Sequence, residues 1–269
     1  MLNISLAQMA VKQGEVKVNL EKAASCVAEA ARRGSRLICF PEMWTTGFGF
    51  EQNIQVCTKQ DATIEAVAKL AKEHKIWISG SMLNHNGEGR PTNSHMLFSD
   101  QGELVARYDK VHLFSFMSED RFVAPGDHLQ SVDAPWGKMG LSVCYDIRFC
   151  EIFRSYALMG ANMVLSPMAF PYPRLEHWQV LVRARAIENQ MFMIGTNQVG
   201  GENFDSVGFG EVTYFGHSCI IDPWGKTIIE AGDSEEVLLT VDINVDLSNQ
   251  IRNKMHVLQD RRTDLYQLN

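Results

Sequence analysis

The segment that decides the fold is "RLICFPE", residues 36–42, in which an apolar run ends at a proline and a glutamate. A short apolar run closed by a turn residue is typical of a buried β-strand. A second segment of this kind, "NMVLSPMA" at residues 162–169, lies in the other half of the chain. Helical patterns precede and follow both segments, which indicates that the two halves share one order of elements.

Each half predicts the order β-α-β-α-β-β-β, in which the last two strands form a hairpin. The first half places these elements at residues 3–11, 19–35, 36–42, 61–75, 76–83 and 94–108, with a turn at Asp100-Gln101-Gly102. The second half places them at residues 138–145, 149–161, 162–169, 175–190, 191–199 and 217–231, with a turn at Asp222-Pro223-Trp224-Gly225. Asn19 and Asp61 are the expected N-caps of the first two helices.

This order of elements also predicts how the layers stack. Each half would form a mixed sheet with both helices on one face, so the bare face of each sheet must be covered. Packing the two bare faces together gives an α/β fold, a four-layer α-β-β-α sandwich with an internal pseudo-repeat. No linker rich in Pro, Gly or Ser separates the halves, so we expect one domain over residues 1–269. The mostly polar segment from about residue 243 to 269 is expected to form a C-terminal arm that packs against a partner subunit.

Composition excludes several classes of protein. The 269 residues are 45% apolar and carry a formal net charge of −7, which argues against a surface for nucleic acid or anionic membranes. The N-terminus lacks a basic region followed by an apolar one, and no apolar run approaches the roughly 20 residues that span a bilayer. The histidines and the cysteines are scattered without metal-ligand spacing, so we expect free thiols, no metal site and a cytoplasmic protein. The cysteines are Cys26, Cys39, Cys57, Cys144, Cys150 and Cys219.

Three reactive side chains lie at the carboxyl ends of predicted strands, where α/β proteins collect functional groups. Glu42 follows "LICFP", Lys110 closes "ELVARYDK", and Cys144 ends "GLSV" shortly before a predicted helix. A helix that begins near Arg148 would stabilise a Cys144 thiolate through its dipole and its free N–H groups. The backbone N–H of Tyr145 would then be a natural donor to an oxyanion.

Each of these side chains also has an ordinary structural explanation. Cys144 could be a core residue, Glu42 an exposed turn residue, and Lys110 a lysine whose ammonium group extends to water. Together, a thiol, a carboxylate and an ammonium supply a nucleophile, a proton shuttle and an oxyanion stabiliser for acyl transfer, although spacing does not show that they meet. His112 or His217 would be the base of an alternative Cys-His enzyme, but neither lies in a stretch like a cysteine-protease motif.

Three stretches resemble the signature motifs of the nitrilase, or carbon–nitrogen hydrolase, superfamily: "FPEMWTTGF" at 40–48, "YDKVHLF" at 108–114 and "SVCYDIRF" at 142–149. They stand in that family's order and at similar separations. Cys150 departs from the pattern, because many members have proline after the Arg-Phe pair. The resemblance extends over nearly the whole chain through "HWQVLVRARAIENQMFMIGTNQVG" at 177–200, "GHSCIIDPWGK" at 216–226 and "RRTDLYQL" at 261–268.

The resemblance implies an α-β-β-α sandwich and a catalytic triad of Glu42, Lys110 and Cys144. It also implies that Glu119 orients Lys110 and the substrate, because this glutamate matches a second family glutamate that shortly precedes a turn such as Pro-Gly. Neither a cofactor nor a metal is implied, and the family usually forms homodimers or larger assemblies. The implied substrate is a small-molecule amide, which Cys144 would attack to give a thioester that water then hydrolyses.

Two stretches, "HLFSFMSEDRFVAPGD" and "RARAIENQMFMIGTNQVG", are most similar to the bacterial omega-amidases of the superfamily. That branch cleaves the terminal amide of 2-oxoglutaramate or 2-oxosuccinamate, so the resemblance implies a cation that binds the substrate carboxylate. Other functions that the sequence leaves open are a nitrilase or a carbamoyl-amide hydrolase with the same triad, and a non-catalytic protein that keeps the fold. The cations within range by sequence are Arg121, Arg148, Arg174 and, less closely, Lys138.

Overall fold

The computed structural model describes residues 1–49, 53, 60–85 and 89–266 of the chain. Its first-half elements are β1 (Leu2–Gln8), α1 (Val16–Arg32), β2 (Leu37–Cys39), α2 (Gln60–His74), β3 (Trp77–Asn84), β4 (Thr92–Phe98) and β5 (Leu104–Asp109). The later elements are α3 (Glu119–Phe122), β6 (Ser131–Ala134), β7 (Gly137–Leu141), α4 (Cys150–Leu158), β8 (Met163–Pro167), α5 (Leu175–Asn189), β9 (Phe192–Thr196), β10 (Val199–Asn203), β11 (Glu211–Phe215), β12 (Cys219–Ile221), β13 (Thr227–Glu230), β14 (Val237–Ile243) and α6 (Leu247–Arg252).

The two halves have the same strand topology, as the repeat predicts. The first sheet has the order β14-β1-β2-β3-β4-β5, and the second has the order β6-β7-β8-β9-β12-β13. In each sheet three neighbouring strands are parallel, two antiparallel hairpin strands follow, and one more antiparallel strand pairs with the first parallel strand. The sequence pattern missed the outer strands β6 and β14 and the two-stranded ribbon of β10 and β11.

Three hydrophobic clusters show that the layers stack as an α-β-β-α sandwich. The cluster between the sheets joins buried apolar residues of both halves, among them Leu6 of β1, Leu141 of β7 and Ile194 of β9. A second cluster packs α1 and α2 on the outer face of the first sheet, and a third packs α4 and α5 on the outer face of the second. Burying each such aliphatic side chain contributes about 1.5–3 kcal/mol, which explains why apolar runs form the central strands.

Helix and strand ends differ from the prediction at three places. Helix α1 begins at Val16, so Asn19 lies inside it rather than at its N-cap. The buried Asn19 amide instead donates to the carbonyls of Lys12 and Thr45, which ties α1 to the loop after Glu42. Asp61 lies in the first turn of α2, which begins at residue 60. The strand that was predicted to continue to residue 145 ends at residue 141.

The C-terminal segment contacts its own chain. Ile243 is the last residue of β14 rather than the start of an arm. Beyond it, Arg252 donates to the carbonyls of Ala161 and Asn189, and Gln190 donates to the carbonyl of Met255. Packing of the later part against a partner subunit stays a prediction, and residues 267–269, like Cys57, lie outside the described residues.

The helices in the described part of the chain are too short or too polar to cross a membrane.

Candidate active site

A cavity opens beyond the carboxyl ends of strands from both sheets. Glu42 lies shortly after β2, Lys110 directly follows β5, and Cys144 lies shortly after β7. Glu119 is the first residue of α3, in the loop that connects the two halves. The fold therefore brings to one cavity all four side chains that the sequence nominates as catalytic. Its described lining residues are Glu42, Phe48, Lys110, Phe114, Met117, Glu119, Cys144, Tyr145, Arg148, Ala169, Phe170, Pro171, Arg174, Phe204 and Tyr214.

Lys110 is the centre of a buried ion cluster. Its Nζ donates to Oε1 of Glu42 at 2.9 Å and to Oε1 and Oε2 of Glu119 at 2.9 and 2.8 Å. Asn93 joins both carboxylates, because its Nδ2 donates to Glu42 at 2.8 Å and to Glu119 at 3.3 Å. Burial by itself lowers the pKa of Lys110, but the charges of Glu119 and Glu42 outweigh it and raise that pKa. The two carboxylates therefore favour the charged form of the amine.

Glu42 is completely buried and has one oxygen available for chemistry. Oε1 is occupied by Lys110 and Asn93, whereas Oε2 has no nitrogen or oxygen partner among the described residues. The Cys144 thiol is the further group that hydrogen-bonds to this carboxyl. Burial raises the pKa of Glu42, against the opposing charge of Lys110, because a carboxylate loses its hydration there. This is the environment expected of a general base that works near neutral pH.

Cys144 occupies a strained turn rather than the N-terminus of an α-helix. It opens a 3-10 turn, Cys144–Arg148, with a φ of 44°, which is in the left-handed region that non-glycine residues rarely adopt. Helix α4 begins only at Cys150, so its dipole does not act at the thiol as predicted. Burial and the charge of Glu42 raise the pKa of Cys144 well above its ordinary value, while Lys110 and the N–H of Ala169 lower it. The resting nucleophile is therefore a thiol that needs a base.

Asp146 holds this turn in place. Its Oδ2 accepts from Val143 N and from the Tyr108 hydroxyl, both at 2.8 Å, and its Oδ1 pairs with His112 Nδ1 at 2.8 Å. His112 therefore supports the turn, and its ring stacks on Phe149. These contacts explain why an acidic residue, Asp146, follows Cys144 so closely in the sequence.

Neither histidine of the alternative Cys-His enzyme faces the cavity. His112 is held by Asp146, and His217 pairs through Nδ1 with Glu230 at 2.7 Å. Both histidines are absent from the described lining of the cavity. The geometry therefore favours Glu42 as the base for Cys144.

A buried neutral histidine supports the strand that leads to the nucleophile. His95 Nδ1 donates to the carbonyl of Ser142 at 3.1 Å, and the Ser79 hydroxyl lies 2.7 Å from His95 Nε2. Burial lowers the pKa of His95 to about 3, so the ring is neutral and Nε2 accepts from Ser79. His95 thus joins the first sheet to the segment just before Cys144.

Two of the four predicted carboxylate-binding cations line the cavity. Arg148 lies over the rings of Tyr145 and Phe170, and Arg174 lies over Phe114 and Phe116. Neither arginine has a carboxylate partner within the described ranges. Burial and the neighbouring Arg148 lower the pKa of Arg174.

The other two cations lie elsewhere. Arg121 is exposed and is not part of the described lining. Lys138 pairs with Asp133 at 3.7 Å on the second sheet. The structure therefore leaves Arg148 and Arg174 as the candidates for binding an anionic substrate.

Sequence reasoning missed several polar residues of this site. Asn93 lies near the start of the buried strand β4, and Asp146 was noted only as an acid behind Cys144. Both contact partners that are 38 to 51 residues away in the chain. These contacts are visible only in the folded structure. In the sequence, the available signal is that a buried strand carries a polar residue, Asn93, which needs a hydrogen-bond partner.

Comparison with known proteins agrees with the resemblance that the sequence motifs show. The family model for carbon-nitrogen hydrolases matches residues 3–253. Omega-amidase NIT2 of Mus musculus is 31% identical over 92% of this chain and 91% of its own length. The 2-oxoglutaramate amidase of Bacillus subtilis is 31% identical over 98% of both chains.

Solved structures of one amidase superimpose on the fold. A mutant of the Nesterenkonia AN1 amidase, from the nitrilase superfamily, has a TM-score of 0.87 at 28% identity and covers 98% of this chain and 95% of its own. A second mutant of that amidase, with acrylamide added at its active-site cysteine, has a TM-score of 0.86 at 28% identity over 98% of both chains. This chain belongs to the carbon-nitrogen hydrolase family.

Proposed function

We propose that the protein hydrolyses the terminal amide of small omega-amides of oxo dicarboxylic acids, 2-oxoglutaramate and 2-oxosuccinamate, to the acid and ammonia. The observation that carries the proposal is the convergence of a half-buried thiol with a buried carboxyl group and a buried ammonium in a cavity that two arginines line. Relatives that are named omega-amidase and 2-oxoglutaramate amidase support this substrate class.

The reaction would begin with proton transfer from Cys144 to Glu42. The pKa of Cys144 is raised well above its ordinary value, which favours the thiol at rest, and the raised pKa of Glu42 makes its carboxylate a stronger acceptor for the proton that leaves as sulfur attacks. A bond forms between Sγ and the amide carbon, and the negative charge develops on the carbonyl oxygen. The Lys110 ammonium and the backbone N–H of Tyr145 would stabilise this oxyanion. The first hydrogen bond of the turn runs from Asp146 N to Val143 O, which leaves the Tyr145 N–H outside that bond.

The second half of the reaction would regenerate the thiol. Glu42 returns the proton to the leaving nitrogen, the C–N bond breaks, and ammonia departs from the acyl-thioester. Glu42 then takes a proton from water, whose oxygen attacks the thioester carbon. The C–S bond breaks, sulfur regains a proton through Glu42, and the free acid leaves. Glu119 would hold Lys110 in position throughout, because it binds the ammonium with both oxygens.

Arg148 and Arg174 would bind the carboxylate of the substrate. Burial lowers the pKa of Arg174, and the positive charge of the nearby Arg148 lowers it further, so the two like charges repel each other. A substrate carboxylate between them would relieve this repulsion and would form charge-assisted hydrogen bonds. The apolar rings around both guanidinium groups would strengthen these bonds by excluding water.

We also propose that the chain forms a single domain and works as a cytoplasmic homodimer or larger homo-oligomer without a cofactor. Free thiols at the described cysteines support a reducing compartment. Exposed apolar side chains, Val180, Ile187 and Trp224, support association between copies. Light scattering at several protein concentrations tests the association between copies, and a monomer at all of these concentrations would contradict it.

The activity is tested by ammonia release from 2-oxoglutaramate, compared with a simple nitrile and with a carbamoyl amide at equal concentrations. We expect turnover of 2-oxoglutaramate to dominate. Turnover of the nitrile alone, or of the carbamoyl compound alone, would replace the proposed substrate with that one. Mass spectrometry during turnover would detect the acyl group on the Cys144 peptide.

A further inference from the structure

Two buried polar side chains of one segment hold both ends of the loop that carries Glu42. Gln198 Nε2 donates to the carbonyl of Glu42 at 2.8 Å. Four residues further on, the Glu202 carboxylate accepts a hydrogen bond from the backbone N–H of Phe48. Both side chains are at most 4% exposed. The loop 42–48 is therefore fixed at its first residue and at its last by a segment that is distant in the chain.

Glu202 hydrogen-bonds to two aromatic residues of the cavity wall, Phe48 and Tyr214, and Phe48 in turn packs on a third. Its Oε2 accepts from the Tyr214 hydroxyl at 2.7 Å. The Phe48 ring packs on Phe204, with 5.9 Å between the ring centroids. Phe48, Phe204 and Tyr214 all line the cavity that contains Cys144. One carboxyl group thus connects the wall residues of the Glu42 loop to those of the β10–β11 ribbon.

The local backbone is built to admit this carboxyl group. Gly47 has a φ of +65°, and a Cβ atom at this position would overlap Oε1 of Glu202. No cation neutralises Glu202 in the part of the chain that the structure describes, so its burial is costly. Burial raises the pKa of Glu202 to about 7, although Tyr214 and the Phe48 N–H lower it, and the Glu42 charge raises it further. A buried carboxyl group that a fold tolerates at such a cost, beside a reactive cavity, indicates a functional role.

We propose that Glu202 is a positioning residue that sets the aromatic wall of the cavity and thereby the fit of the acyl group, while Gln198 sets the position of Glu42. The proposal rests on the reaction at Cys144 described above. Glu202 and Gln198 make separable contributions, because they hold opposite ends of the loop 42–48. Loss of the Glu202 contacts weakens binding through Phe48 and Tyr214, and loss of the Gln198 contact misplaces the base.

Steady-state kinetics of three variants test the separation. We expect Glu202→Ala to raise KM about tenfold with kcat within about threefold of the parent, because the wall loosens but the base stays. Glu202→Gln keeps an acceptor for Phe48 and a polar partner for Tyr214, so we expect it to restore KM to about the parental value. Gln198→Leu should lower kcat about tenfold with little change in KM, because it acts on Glu42.

A second measurement does not depend on the identity of the substrate. Iodoacetamide is a small amide that alkylates a thiol, with formation of the S–C bond and loss of iodide. We expect Glu202→Ala to raise the iodoacetamide concentration that half-saturates alkylation of Cys144, with the maximal rate unchanged. A parent protein that is alkylated at Cys144 but does not hydrolyse 2-oxoglutaramate would remove the proposed substrate only, and the wall would still be tested by this reagent.

Three results would overturn the proposal. They are an unchanged KM and half-saturating concentration in folded Glu202→Ala, equal impairment by Glu202→Gln and Glu202→Ala, or a KM change matched by an equal fall in kcat. If Glu202→Ala does not fold, Tyr214→Phe tests the proposal instead. This variant removes the hydroxyl that donates to Glu202, so KM should rise about threefold. Combining Tyr214→Phe with Glu202→Gln should then raise KM no further than Tyr214→Phe alone, since both act through one hydrogen bond.

Discussion

Both carboxylate oxygens of Glu119 accept hydrogen bonds from the Lys110 ammonium, at 2.9 and 2.8 Å. Oε2 of Glu119 also accepts from the backbone N–H of Phe114 at 2.6 Å, which fixes the carboxylate relative to the loop before it. Lys110 is thereby oriented from one side while its third contact points to Glu42. This pairing explains how a buried lysine stays charged at the cavity.

Removal of the lysine charge should impair both stability and catalysis. Lys110→Met leaves two buried carboxylates facing each other, which should lower the free energy of unfolding by about 3–5 kcal/mol. It also removes an oxyanion donor, so kcat should fall at least about 10²-fold. Denaturant unfolding and amide turnover measure the two effects. Lys138→Met, which breaks a half-exposed pair, is the matched control and should change neither by much. Equal behaviour of the two variants would refute the role of Lys110.

Cys144→Ala should abolish turnover and leave the fold intact. We expect kcat to fall by about 10³-fold or more, because no other thiol lines the cavity in the described structure. Cys150→Ala is the control, since this exposed thiol begins α4 outside the cavity lining. Circular dichroism verifies the fold of both variants. Amide hydrolysis by Cys144→Ala at the parental rate would show that the nucleophile is another group.

Glu42→Gln should remove the base while preserving shape. We expect kcat to fall about 10²–10⁴-fold with a smaller change in KM. In the parent, kcat/KM should decline as pH falls through the raised pKa of Glu42, because the protonated carboxyl cannot accept the thiol proton. This acid limb should therefore lie above the pH range of an ordinary glutamate. An acid limb at the ordinary glutamate pKa, or an unchanged kcat in Glu42→Gln, would place the base elsewhere.

The stability of the protein should depend on the ionisation of Glu202. Its pKa rises from 4.5 to about 7 on folding, so between these values the folded protein holds a proton that the unfolded chain has lost. Stability contributed by this group is complete below the unfolded pKa and is lost as pH rises to about 7, by about 3 kcal/mol in total. Denaturant unfolding from about pH 4.5 to about 7.5 should show this decline in the parent and a smaller one in Glu202→Gln, which keeps only the part that the raised pKa of Glu42 contributes. The exposed Glu211→Gln is the control and should keep the parental slope.

Arg148→Met and Arg174→Met should each raise KM for 2-oxoglutaramate, by about tenfold or more, through loss of a charge-assisted hydrogen bond. The KM for a neutral amide of similar size should change much less. Arg121→Met is the matched control, because Arg121 is exposed and lies outside the described lining. Parallel increases in KM for the charged and neutral amides would show that the arginines shape the cavity without binding a carboxylate.

The sequence predicted the central strands and their order because both faces of these strands are buried. The apolar runs of β2, β3, β8 and β9 can be recognised in the sequence without knowing which strands they pair with. Strands β6 and β14 were missed because their side chains are mostly half-buried. In β14, pairing with β1 joins residues 2–8 to residues 237–243, and no local pattern contains that information.

The same distinction applies to the site. The sequence motifs identify four of the site residues by their residue type and their place along the chain. These residues are Glu42, Lys110, Glu119 and Cys144. Glu202 was not noticed, because a lone glutamate in a glycine-containing strand has the pattern of an exposed residue. Its contact with Phe48 spans 154 residues, and no local pattern contains that information.

The pseudo-repeat divides the reactive groups between its two copies. The first copy supplies Glu42 and Lys110, and the second supplies Cys144. Backbone cleavage at the exposed Asp127–His128 bond would therefore yield two fragments that are each inert. Hydrolysis would return only as the fragments reassociate through the apolar surface between the sheets, so amide turnover becomes a quantitative reporter of complementation between the halves.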